Sequence, residues 1–100
     1  MTLIHVDPDA LEALAWDLIH GARALEDTLY ELRHALGRLE VSWMGDDAVI
    51  FSLEYRRALN NLVLAVQTLD ELAARLRRHA IQWREYEELW AARYRALVER

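Results

Sequence analysis

Glu31-Leu32-Arg33-His34 sets a carboxylate and an imidazole about one helical turn apart, the Glu-x-x-His spacing with which di-iron four-helix bundles hold their metals, and Glu54 falls near the facing level of a second helix. Ligands in a bundle must project inward. In the heptad frame set by Leu29 and Leu32, however, Glu31 takes position c and His34 position f, both on the solvent side. Asp17 and His20 repeat the spacing, and His20 again falls at f. His5 and His79 have no acid-and-nucleophile pattern around them. Arg75-Leu76-Arg77-Arg78-His79 is a basic cluster without the interleaved aromatics of a nucleic-acid surface, and acids of the first half stand ready to neutralise it. The sequence has no glycine-rich phosphate loop and no cysteine, so it offers no nucleotide cradle, thiolate nucleophile or disulfide. These side chains read as solvated helix faces. The sequence therefore predicts no enzyme, no metal site, no cofactor and no nucleic-acid partner.

The elements that carry them follow from punctuation and period. Pro8, the only proline, lies in Asp7-Pro8-Asp9, where Asp7 suits a helix N-cap and proline the first helical position. Leucine then recurs every seven residues at Leu11, Leu18, Leu25, Leu32 and Leu39, with Ala15, Ala22, Leu29 and Leu36 on the alternate line. This is an a/d seam. It breaks at residues 41–47, where Gly45 can adopt a positive φ and Asp46 or Asp47 can cap a new helix. Beyond the break the spacing resumes at Tyr55, Leu59, Leu62, Val66, Leu69, Ala73, Leu76, Ala80 and Trp83, continuing through Trp90, Tyr94 and Leu97. The chain is thus predicted to be all-α, a single domain over 1–100, with helix 1 about 8–40, a bend at 41–47 and helix 2 about 48–98.

Two amphipathic helices joined by a short turn pack antiparallel, which here sets residue i of the first against about residue 87 − i of the second. Arg75 and Arg78 then approach Glu12 and Asp9, and Arg56 and Arg57 approach Glu31. Residues 1–40 hold eight acids against three arginines, whereas residues 41–100 hold nine of each, so an acidic first helix meets arginines on the second. The same alignment exhausts helix 1 near Ala80 and leaves about twenty residues, roughly 30 Å, without an intramolecular partner. That overhang carries Trp83, Tyr86, Trp90 and Tyr94. A lone hairpin buries one stripe per helix, so pairing of two hairpins into a four-helix bundle is expected. Trp16 and Tyr30, two heptads apart on the first helix, and Ile50 and Leu64, likewise spaced on the second, form stripes outside the seam. Trp16, Tyr30, Leu64, Trp83, Tyr86, Trp90 and Tyr94 are the candidate interface residues.

An apolar fraction of 54% is too high for a disordered chain, and no apolar run approaches the roughly 18 residues of a membrane span. Met1 to Val6 lacks the basic and apolar regions of a Sec-type signal peptide, so export, if it occurs, is expected by another route.

A chain of about one hundred residues, two heptad helices and Trp43-Met44-Gly45 at the bend resemble the WXG family of ESAT-like proteins. The likeness extends from the Val6-Asp7-Pro8-Asp9 start of helix 1 through Ser42-Trp43-Met44-Gly45 to the uninterrupted second helix. Position 43 continues the line of Ala15, Ala22, Leu29 and Leu36, so Trp43 can plug the end of the seam while Gly45 reverses the chain. The resemblance implies a non-enzymatic substrate or partner of a type VII secretion system. It would be exported as a folded homodimer, or as a heterodimer with another WXG-type protein, and recognised by a secretion ATPase of the FtsK/SpoIIIE type. The family's C-terminal Tyr-x-x-x-Asp/Glu signature is missing: Trp90 stands four residues after Tyr86 and Val98 four after Tyr94. That departure opens the alternative of a cytoplasmic adaptor or chaperone that pairs with a larger secreted effector and is not itself exported.

Overall fold

The computed structural model describes residues 6–99. Met1 to His5, which make up most of the N-terminal segment read for a signal peptide, and Arg100 lie outside the described residues. The fold is an antiparallel helical hairpin: α1, Pro8–Ser42, and α2, Asp46–Val98. The described residues contain no strand. At α1's start the Asp9 amide donates to Asp7 Oδ1 at 3.0 Å, and proline occupies the first turn, where its missing N–H costs nothing. At α1's end Trp43 turns extended, at φ −107 and ψ 127, while its amide still donates to the Leu39 carbonyl at 2.9 Å.

The bend is tighter than residues 41–47. It comprises Trp43, Met44 and Gly45, and Gly45 has φ 112 and ψ 173, a region that side chains make costly. Gly45 also takes the cap position expected of Asp46 or Asp47. The two aspartates fall instead in the first turn of α2, where their charges favour the positive end of the helix dipole.

The seam is buried along one line of each helix. Ala15, Ala22, Leu29 and Leu36 of α1 and Leu59, Val66, Ala73 and Ala80 of α2 are the buried lines, with Ala48 nearer the bend. The second line of α1, Leu11, Leu18, Leu25 and Leu32, is only half-buried, as is the line Tyr55, Leu62, Leu69, Leu76 and Trp83 of α2. Leucines fill the bend half around Leu29, Leu36 and Leu59, while alanines in the other half let the helices draw close.

The helices are offset from the 87 − i alignment. Arg23 donates to both carboxylate oxygens of Asp70 at 2.6 Å, Arg84 pairs with Asp9 at 2.8 Å and with Glu12, and Arg56 pairs with Glu40 at 2.7 Å. The numbers of these partners add to 93–96, so Arg84 takes the acids assigned to Arg75 and Arg78, and Arg56 takes Glu40 rather than Glu31. The bend supplies the reason. An extended residue advances the chain about 3.3 Å where a helical one rises 1.5 Å, so extended backbone at Trp43 and Gly45 carries α2's start past the end of α1. At the opposite end helix 1 covers α2 as far as Arg84, not merely Ala80, and the uncovered segment is shorter than expected. The hairpin is a thin rod, 83 × 25 × 14 Å.

Candidate functional site

Three surfaces gather the residues singled out by the sequence. The first is the bend. Trp43 is 39% exposed and so rims the seam more than it plugs it. Its ring lies 5.1 Å from that of Phe51, which lies 5.7 Å from Tyr55, giving an aromatic ladder with one rung on α1's cap and two on α2. Trp43 and Phe51 border an open groove of about 360 Å³, lined also by Leu36, Leu39 and Met44. Met44, at 89% exposed, and Val49, Ile50 and Leu53 give the bend and the first turns of α2 an apolar outer surface. Sequence reasoning passed over Phe51; its signal was the four-residue step to Tyr55, meaningful only once the bend is known to end at Gly45.

A polar clasp closes the flank of the bend. Ser52 donates to Glu40 Oε1 at 2.6 Å, and Arg56 Nη2 reaches both Glu40 oxygens at 2.7 and 2.8 Å. The Ser52 hydroxyl and, after it, the Arg56 guanidinium hold the Glu40 carboxyl below the usual glutamate range, with desolvation pushing the other way. Because the folded value is depressed, the clasp stabilises fully above the ordinary glutamate pKa of about 4.3 and is lost as pH falls through the lower folded value. A side-chain NMR titration should find the Glu40 midpoint below that of a free glutamate, and Ser52→Ala should move it upward. A midpoint unchanged by Ser52→Ala would mean that the clasp does not form in solution.

The second surface comprises the stripes outside the seam. Trp16 is 44% exposed, yet Arg77 reaches across from α2 to lie 5.2 Å from its ring centre, so part of its face already has a cation–π partner within the hairpin. Tyr30 packs edge-on against His34 at 4.4 Å, which places that imidazole on the outer face of α1 together with the exposed Glu31. Leu64 and Ile50 are exposed on α2. The structure does not bring the α1 and α2 stripes together.

The third surface is the end of α2. Trp83 is half-buried, level with the Arg84 ion pairs, and does not belong to the uncovered segment. Tyr86, Trp90 and Tyr94 are 53%, 55% and 69% exposed. The rings follow one another along the helix, with Trp83 to Tyr86 at 6.0 Å and Tyr86 to Trp90 at 6.1 Å. Among the described residues no helix is long and apolar enough to cross a membrane, and no three potential metal ligands cluster. What the surfaces offer is contact: apolar and aromatic area presented in register along a rigid rod. Compared with known proteins, the chain matches no family model and no curated protein.

Proposed function

We propose that the chain is a non-enzymatic, ESAT-like WXG protein, a small substrate or partner of a type VII secretion system, exported as a folded dimer. The observation that carries this reading is the coincidence of the Trp43-Met44-Gly45 triplet with the reversal of the hairpin, Gly45 supplying the positive φ and Trp43 the aromatic border of the bend. The half-buried lines of Leu18, Leu25 and Leu32 on α1 and Leu62, Leu69 and Leu76 on α2 support pairing, because a second hairpin laid alongside would complete their burial as a four-helix bundle. That second hairpin is either another copy or a different WXG-type chain, and the apolar bend is available to a secretion ATPase of the FtsK/SpoIIIE type.

The second reading, a cytoplasmic adaptor that pairs with a larger secreted effector, is favoured by one sequence feature: neither Tyr86 nor Tyr94 is followed by an acid at the fourth position. Assaying culture medium for the native protein, with and without the secretion ATPase, separates the two. ATPase-dependent appearance in the medium supports the first reading. Retention in cells whose medium receives a co-purifying partner supports the second, and retention with no exported partner defeats both.

A further inference from the structure

We propose that the end of α2 is a homotypic interface, in which two copies of this chain pair tail to tail, antiparallel, with Trp90 close to the two-fold axis. This inference is independent of the secretion reading. Within the hairpin α1 covers α2 only as far as Arg84, so the apolar face beyond it has no intramolecular cover.

Its pattern identifies the occupant. Counting from Trp90, the apolar stripe falls at −7, −4, 0, +4 and +7, as Trp83, Tyr86, Trp90, Tyr94 and Leu97. At 100° per residue these five lie within an arc of about 80° on one face of the helix. A stripe symmetric about its centre matches itself when a second copy runs the opposite way, which is the self-complementarity an isologous two-fold contact requires. Tyr86 then stands at the level of the partner's Tyr94, the two rings leaning to opposite flanks and packing past each other, and Trp83 stands level with the partner's Leu97.

Charge selects the same direction. Glu85, Glu87 and Glu88 precede Trp90, while Arg93 and Arg95 follow it, and none of Glu85, Glu87, Arg93 and Arg95 joins an ion pair among the described residues. Antiparallel pairing sets Glu87 at the level of the partner's Arg93 on the flanks of the apolar face, about a Debye length apart, with Glu85, Glu88 and Arg95 on the far side of the helix, whereas parallel pairing sets like against like. The two helix dipoles also oppose favourably in that arrangement. The area is adequate. Tyr86, Trp90, Tyr94 and Leu97 expose between 53% and 70% of their surface, and covering them on both copies removes roughly 1,000 Å² from water, near the floor for a specific protein interface.

Spin labels on single cysteines test the geometry directly in the full-length chain, which has no cysteine of its own. Labels at Ala92→Cys should lie about 25 Å apart, from an interaxial distance of 8–10 Å plus two outward-facing labels. Labels at Asp47→Cys, near the bend, should be about 130 Å apart and give no measurable dipolar signal. Small-angle scattering should report a maximum dimension near 140 Å, about twice the 83 Å hairpin less the overlap of the tails. Trp90→Glu should weaken self-association at least tenfold by light scattering while leaving the hairpin's thermal melt unchanged, since Trp90 touches nothing in the seam. A short distance at position 47 with none at position 92 would indicate side-by-side pairing alone and overturn the proposal. So would the absence of a short distance at position 92, or a Trp90→Glu chain that associates as tightly as the parent.

Discussion

Leu59→Asp is expected to cost about 3–5 kcal/mol and to leave the hairpin largely unfolded at room temperature. Leu59 is 5% exposed and sits in a cluster with Leu29 and Leu36, walled by Leu32, Tyr55, Leu62 and Val63. Removing the leucine forfeits about 2 kcal/mol of burial, and the carboxylate introduced would have no polar side chain to meet, because none is buried among the described residues. A small two-helix domain has little stability in reserve. Leu64→Asp makes the same chemical change five residues further on at a position 59% exposed, and should cost under about 1 kcal/mol. Urea unfolding followed by circular dichroism compares them; equal losses would mean that the buried face of α2 is misplaced.

The alanine half of the seam should fail in the opposite way, by overfilling. Ala15 and Ala22 are 0% exposed and Ala73 and Ala80 1%, and the Arg23–Asp70 ion pair brings this stretch of α1 alongside this stretch of α2. Alanines on both sides let the helix axes approach to about 8 Å, which leaves no room for a branched side chain. Ala22→Leu is therefore expected to cost about 2–3 kcal/mol despite adding apolar surface, lowering the melting temperature by about 10 °C or more. Ala24→Leu, on the exposed face of the same turn, should be nearly neutral, because the two residues differ little in helix propensity. If Ala22→Leu melts as high as the parent, the helices do not meet closely there.

What was legible in the sequence was the faces, and what was not was the register, for a reason built into the repeat. Setting Leu29 against Leu59 and Ala22 against Val66, as the 87 − i alignment nearly does, joins the same two buried lines as setting Leu36 against Leu59 and Ala22 against Ala73. The two alignments differ by one heptad, or about 10 Å, and a seven-residue pattern is blind to a seven-residue slip. Charge did not break the tie, because arginines stand on α2 at 75, 78 and 84, and either choice gives Glu12 a partner. The decision lay in the backbone of Trp43 and Gly45, whose extended angles no side-chain period encodes. Everything that depends on register was hidden with it: the Glu40, Ser52 and Arg56 clasp, the Arg77 contact over Trp16, the apolar first turns of α2 and the half-burial of Trp83. Asp7 and Pro8, by contrast, act on their own neighbours alone, and their capping role could be read directly.

The proportions of the rod also bear on how the molecule meets a confined space. A compact globule of one hundred residues has a radius of gyration of about 13 Å and is about 34 Å across whichever way it turns. This hairpin has a radius of gyration of 23.2 Å but a cross-section of only 25 × 14 Å. An aperture of intermediate width would therefore stop the globule and admit the hairpin end-on, still folded, with the bend or the aromatic tail leading. Orientation, not mass, would decide passage.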